Sequence, residues 1–303
     1  MARMAVRSVV IAVPTLGARP LPALLAAVAG QAALARQRGY EVRVALLDNS
    51  PAGSAAARRA AAGHGVEYVR VPERGFAQVR NAALDTAGDA DVLVFIDDDE
   101  FPVPGWLLAF LDGARTHAAD VAVGPVRVAV PERAPAWVAD GALLRSCGGS
   151  RPDGPLTGPA YSGNTLLRLA PVRAAGLRFG AEFDRVGGED TAFFGELAER
   201  GAHMVWIDAA AVAETPDPDR LTLRGLVRRF YLSGYGNALA DRAARRPLLH
   251  LGARRAGRAL RGLGRLAAAV VLARAPLAAR GLADVAFAGG WWAALARPRT
   301  GRG

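Results

Sequence analysis

Short runs of β-branched and aliphatic residues alternate, through the first half of the chain, with longer segments whose apolar positions repeat at helical spacing. The runs predict strands near Ser8–Val13, Val42–Asp48, Val66–Val71, Val92–Asp97 and Val121–Val130. Between them the spacing predicts helices over Leu21–Arg38, Ser54–Ala62, Ala77–Ala87 and Pro104–His117. Gly39, Gly63 and Gly88 stand where a left-handed cap ends a helix, and Pro104 is tolerated in a first turn. The alternation predicts an α/β fold with an open, mostly parallel sheet covered by helices.

From Pro131 to Pro159 the periodicity gives way to Pro, Gly and Ser, which predicts a long loop of the functional or mobile kind. A strand over Tyr161–Leu169, a helix over Thr191–Arg200 and a strand over Met204–Ile207 follow. After Thr222 the pattern is helical, with breaks at Pro247 and Pro276. The first apolar run, although preceded by Arg3 and Arg7, stops at Pro14. That is short of the roughly 7 to 15 residues of a signal peptide's apolar region, so it is read as a buried strand. No stretch reaches the roughly 18 uncharged apolar residues of a spanning helix, since Arg265, Arg274, Arg280 and Asp284 interrupt the longest candidates.

Composition narrows the class. With 51% hydrophobic and 22% charged residues the chain is no disordered polyelectrolyte, and 303 residues suffice for a large core. Cys147 is the single cysteine and excludes an internal disulfide, while four histidines give no cluster of zinc spacing. Both facts fit a reducing, cytoplasmic compartment. The net charge of +10 comes from arginine alone, because there is no lysine. Its distribution is more informative than its size: residues 1–219 carry 21 Arg against 26 acidic residues, whereas 220–303 carry 17 Arg against Asp241 and Asp284. An acidic body with a basic tail suggests that the tail meets phosphate, on nucleic acid or on an anionic membrane surface. Nucleic-acid binding would call for aromatics interleaved with arginine on a sheet, and Trp291 and Trp292 lie instead in an apolar stretch.

In open parallel sheets ligands bind beyond the carboxyl ends of the strands. The second strand ends in Asp48-Asn49-Ser50 and the fourth in Asp97-Asp98-Asp99-Glu100. Adjacent carboxylates raise one another's pKa unless a positive charge intervenes. A run of this kind is either a solvated turn or a site for Mg²⁺ or Mn²⁺, which takes one or two carboxylates and completes its shell with phosphate oxygens and water. The apolar strand feeding it favours the metal. Pro14-Thr15-Leu16-Gly17-Ala18-Arg19 matches neither a dinucleotide fingerprint nor a P-loop, and the chain has no Gly-x-Ser-x-Gly elbow. Gly187-Gly188-Glu189-Asp190 precedes a helix, where Asp190 is either an N-terminal cap or, carried by flexible glycines, a general base.

Six segments taken in order resemble the family 2 glycosyltransferases over roughly residues 7–236: Val13-Pro14-Thr15, Asp48-Asn49-Ser50, Gly75 through Asn81, Asp97-Asp98-Asp99, Ser162-Gly163-Asn164 and Gly188-Glu189-Asp190. The resemblance implies a GT-A fold and inverting transfer from a nucleotide-diphosphosugar donor to a saccharide or lipid-linked acceptor. It implies a catalytic domain over residues 1–240 and a basic amphipathic helical extension over 241–303. By position, Pro14, Thr15 and Asp48 would form the nucleoside pocket, and Arg80 and Asn81 would contact the donor. Asp97 and Asp99 would correspond to the family's Asp-x-Asp pair, with Mn²⁺ or Mg²⁺ on Asp99. Gly163 and Asn164 would line the sugar site, and Asp190 would be the base. Where many members carry a histidine this chain has Ala213-Glu214-Thr215, so Glu214 is expected either to offer the metal an oxygen or to pair with Arg220 on the surface. Glu214 with Pro216, Pro218 and Arg220 resembles the exopolysaccharide-building branch. Arg228 and Arg229 are expected either to clamp the diphosphate or to lie on a solvated helix face.

Two other classes remain open at this point. A sugar-phosphate nucleotidyltransferase would use a related sheet and metal site, but its glycine-rich basic loop is not visible. A non-catalytic scaffold would rely on the tail, where Arg254, Arg255, Arg258, Arg261 and Arg265 alternate with leucines ahead of Phe287, Trp291 and Trp292. That pattern suits either a helix lying on the inner face of the cell membrane or one packed on the catalytic domain.

Overall fold

The computed structural model describes residues 6–138, 143–144 and 150–296. Cys147 lies outside them. In chain order the elements begin with β1 (Ser8–Thr15), α1 (Pro22–Gln37), β2 (Glu41–Asp48), α2 (Ala55–Gly63), β3 (Glu67–Arg70), α3 (Phe76–Ala87) and β4 (Val92–Ile96). Then come β5 (Glu100–Pro102), α4 (Trp106–Thr116), β6 (Val121–Val123), β7 (Val126–Val128) and β8 (Gly154–Pro155). β9 (Asn164–Arg168), α5 (Leu169–Ala175), α6 (Glu189–Glu199), β10 (Met204–Trp206) and β11 (Val212–Glu214) follow. The chain closes with α7 (Leu223–Ala243), α8 (Leu248–Leu272) and α9 (Ala275–Ala296).

The main sheet has the order β3-β2-β1-β4-β9-β6-β10-β8. β1 pairs in parallel with both β2 and β4, so β1 and β4 are covered on both faces and read as unbroken apolar runs. β9 runs antiparallel to β4 and β6. The expected open, mostly parallel, helix-flanked sheet is therefore present, with a helical C-terminal region.

The run Val121–Val130 is two strands rather than one. Gly124 and Pro125 break it, because Pro125 has no N–H for the ladder. A Cβ on Gly124 would also stand 2.0 Å from the Ala210 carbonyl oxygen. β6 stays in the main sheet, while β7 joins β11 and β5 in a second, three-stranded sheet. There Glu214 is registered opposite Glu100.

The C-terminal helices pack onto the body rather than trailing from it. α9 crosses α7 where Gly234 and Gly290 admit backbone: a Cβ on either would come within 1.9 Å of the carbonyl oxygen of Phe287 or Tyr231 respectively. α7 runs through residue 240 without a break. Ala279 and Ala283 of α9 join Leu226 and residues Trp137 and Leu144 of the preceding loop in one apolar cluster. Among the described residues, no helix is long and apolar enough to cross a membrane.

Candidate functional site

The carboxyl ends of β1, β2 and β4 converge, and each presents an acid or a hydroxyl. At the end of β2 Asp48 is buried and accepts hydrogen bonds from Ser50 N (2.9 Å), Ser54 N (2.5 Å) and the Tyr68 hydroxyl (2.6 Å). Burial pushes its pKa up, but these donors outweigh burial and hold it at about 2. Asn49 next to it fastens the loop leading to α3, donating to the carbonyls of Val71 and Glu73 and accepting from Gly75 N. Asp184 completes that helix's start by accepting from Ala77 N and Gln78 N. The entry to α3 and the segment before α6 are thereby locked together.

β4 delivers the acidic run. Thr15, buried at the end of β1 just after the half-buried Pro14, donates to Asp98 at 2.6 Å. Burial first, then the like charges of Asp99, Asp190 and Asp98, push Asp97 up to about 7 against the opposing pull of Arg80. Burial and the charge of Asp97 push Glu100 well above the carboxylate range.

Arg19, from the turn after β1, reaches into this group. Its guanidinium stands 3.5 Å from Asp98, 3.2 Å from Asp99 and 3.8 Å from Asp217. The segment that carries Arg19 matches no binding motif, so no local signature marks it. Its place between β1 and the first apolar residues of α1 is the one signal that could have found it.

A second focus lies where α3 meets α6. Arg80 is buried and links both acidic centres: its Nε is 3.3 Å from Asp190 Oδ1 and donates to Ser162 Oγ, while Nη1 is 3.3 Å from Glu189 Oε1. Asp190 also accepts from Ser162 N at 3.1 Å. Burial, then Asp190, push Glu189 up to about 7 despite Arg80. Asp190 thus lies in the first turn of α6 and turns its carboxylate toward Arg80 and Ser162; the N-cap position belongs to Gly188. The two glycines ahead of it meet a structural demand. Gly187 and Gly188 hold φ of +76° and +103°, and a Cβ on Gly188 would meet the Gly236 backbone of α7 at 2.7 Å. Backbone geometry and close approach require them.

Four of the expected site side chains are engaged by other parts of the chain. Asn81 uses both ends of its amide on the backbone of Phe179, at 2.9 Å each. Asn164, fully buried, accepts from Trp106 Nε1 and donates to the carbonyls of Pro125 and Ala210. Both amides are committed to groups within the chain. Arg229 donates to the carbonyls of Leu143 and Leu144, at 3.0 Å each, and so anchors that segment, while Arg228 stands exposed on α7. Glu214 forms its ion pair with Arg220, but buried rather than on the surface, and its Oε2 has no hydrogen-bond partner. Arg220 also donates to Leu144 O.

The arrangement accepts a divalent cation in one respect. A Cβ on Gly163 would stand 3.1 Å from Asp97 Oδ2 and 3.0 Å from Glu100 Oε1, so the glycine keeps space open beside crowded carboxylates. Among the described residues no three acidic, His or Cys side chains form a ready cage. An ion that takes one or two carboxylates and relies on a phosphate ligand fits such a set.

The family model described as Glycosyl transferase family 2 matches residues 10–176, from β1 through α5. Succinoglycan biosynthesis protein ExoM of Rhizobium meliloti (strain 1021) is 34% identical over 178 residues, which span 58% of this chain and 57% of that protein. The crystal structure of S. aureus TarS 1-349 superposes with a TM-score of 0.52 at 15% identity, over 77% of this chain and 65% of that one. GalNAc-T7 with UDP, GalNAc and Mn²⁺ gives a TM-score of 0.51 at 15% identity, over 76% and 48%. TarS 1-349 in complex with UDP-GlcNAc gives 0.50 at 13% identity, over 78% and 70%. At these identities the likeness to the solved structures is one of fold.

Proposed function

Because the chain belongs to glycosyl transferase family 2 and has the GT-A type of fold, we propose that it transfers a sugar from a nucleotide-diphosphosugar to an acceptor hydroxyl, with inversion at the anomeric carbon. The observation that carries this reading is the position of Asp190, held by Ser162 N and Arg80 against the acidic strand end of β4. A carboxylate fixed there is placed to take the acceptor proton as attack begins. Arg80 and Ser162 set its direction, and Glu189 and Asp97 share the charge of the same guanidinium.

Asp97 and Asp99 would hold Mn²⁺ or Mg²⁺, with the free oxygen of Glu214 as a further candidate ligand. When bound, the cation would neutralise charge on the departing diphosphate. Arg19 stands beside Asp98 and Asp99, where it would meet the same phosphates. Pro14, Thr15 and Asp48 would border the nucleoside. Asp48, oriented by Ser50, Ser54 and Tyr68, would accept from the base with its remaining lone-pair capacity.

The neighbours bound to UDP, and the one bound to UDP-GlcNAc, make a uridine donor the first to test. The succinoglycan biosynthesis relative supports a role in building an exopolysaccharide; the acceptor would be a saccharide or lipid-linked precursor, with the enzyme at the cytoplasmic face of the membrane. The test is thermal protection of the purified protein by a panel of nucleoside diphosphates and diphosphosugars, with and without Mn²⁺. Protection by a nucleoside diphosphate that requires the metal is expected. Release of pyrophosphate from a nucleoside triphosphate and a sugar phosphate would overturn the reading in favour of a nucleotidyltransferase.

A further inference from the structure

Helix α8 is amphipathic in a sense opposite to the one its sequence suggests. Three of its arginines turn inward. Arg258 Nε lies 2.7 Å from Asp284 Oδ1, Arg265 pairs with the other oxygen of Asp284, and Arg255 lies 3.7 Å from Asp241. The guanidinium groups of Arg255 and Arg258 lie over the Phe287 ring at 5.1 and 4.0 Å. Trp291 is fully buried and donates to Asp241 at 3.0 Å. Phe287 and Trp291 therefore cannot serve as anchors, and those three arginines are committed to α7 and α9.

What faces outward is apolar. Leu249, Leu260, Leu263, Val270 and Val271 are 93%, 69%, 54%, 83% and 82% exposed. At about 100° per residue they fall along one side of the helix, with exposed alanines between them. α8 has 25 residues, so the stripe runs along a rod of about 37 Å. An apolar trough of about 400 Å³, lined by Leu249, Gly252, Ala256, Trp292 and Leu295, is continuous with it.

The rim of the stripe identifies its occupant. Arg254 and Arg261 stand exposed on one flank, and Arg274 is exposed just past the helix end. Residues 247–296 contain seven arginines and one acidic residue, Asp284, which is already paired twice. A second copy of the chain would bring two positive rims together, whereas an anionic lipid surface complements both rim and stripe. We propose that α8 lies in the headgroup layer of an anionic bilayer, its outward stripe buried at the acyl boundary and Arg254 and Arg261 against lipid phosphates.

Flotation of the full chain with vesicles of phosphatidylcholine, alone or mixed with phosphatidylglycerol, tests this. The protein is expected to float with the mixed vesicles and not with phosphatidylcholine alone. The triple variant Leu260→Glu, Leu263→Glu, Val271→Glu is expected to lose binding by about tenfold or more with its melting temperature unchanged, since all three positions are exposed. Arg254→Ser with Arg261→Ser is expected to weaken binding by about tenfold and to flatten its salt dependence. Failure of the wild type to float with anionic vesicles, or equal flotation of the triple variant, would overturn the proposal. So would sedimentation showing a wild-type dimer that the triple variant dissociates, because the face would then belong to a second copy.

Discussion

Arg80 and Asp190 meet at 3.3 Å across the junction of α3 and α6, and through this contact an arginine from the first half of the fold fixes a carboxylate contributed by the second. The same guanidinium holds Glu189, so the two acids that open α6 are oriented from outside their own helix.

Asp190→Asn keeps the shape of the side chain and its hydrogen bond from Ser162 N but removes the proton acceptor. Turnover should fall by about a hundredfold or more, with donor KM and melting temperature little changed. Steady-state kinetics decides the matter, and near-normal turnover would leave Asp190 a packing residue.

Arg19 and a divalent cation address the same carboxylates. Arg19→Ala should weaken nucleoside diphosphate binding by about tenfold while strengthening binding of Mn²⁺ alone, because a competing positive charge has left Asp98 and Asp99. Asp99→Ala should abolish the metal-dependent part of nucleotide binding. Calorimetry separates these outcomes; unchanged Mn²⁺-dependent affinity in Asp99→Ala would remove that residue from the metal site.

The acidic centre also sets a pH dependence. Asp97 and Glu189 are pushed up to about 7, and Glu100 is raised as well, so the folded protein keeps protons that the unfolded chain releases near pH 4. Stability without metal should therefore fall as pH rises from about 4 through about 7. Asp97→Asn should flatten the decline, and Mn²⁺ should oppose it by compensating the ionised carboxylates. Melting temperatures between pH 5 and pH 8 that rise, or stay level, would contradict this.

Gly188→Ala would add a Cβ at a φ of +103° and against the Gly236 backbone. The variant should lose about 2 kcal/mol or more, read from urea unfolding. A loss of less than about 0.5 kcal/mol would mean that the contact yields easily.

Much of the frame was legible because burial on both faces writes itself as uninterrupted apolar residues, as in β1 and β4, and β2 shows alternation at its start before its apolar end. β5, β8 and β11 were not, since strands of two or three residues, with Glu100 in β5, Gly154-Pro155 as β8 and Glu214 in β11, show no alternation to detect. The Asp97-Asp98-Asp99 run was visible as charge at the end of such a strand. The pairing of Arg80 with Glu189 and Asp190 was hidden, because nothing local marks a buried arginine whose partners lie in a distant element. For Asn81 and Asn164 the motif fixed the position along the chain but not the side chain's direction, which the carbonyls of Phe179, Pro125 and Ala210 decide. In α8 the periodicity revealed two faces, and only Asp241 and Asp284 on neighbouring helices determined which of them turns inward.

The close approach of Gly188 to Gly236, with α9 seated on the same helix through Gly234 and Gly290, has a bearing on how such chains diversify. The family match ends at residue 176, so the proposed base and the wall behind it come from sequence beyond that segment. Under the proposed roles the division is not clean, since Arg80 reaches across it to hold Asp190 and Glu214 stands on its far side. What the packing does require is that positions 188, 234, 236 and 290 stay small, because a Cβ at any of them would meet backbone of a neighbouring element.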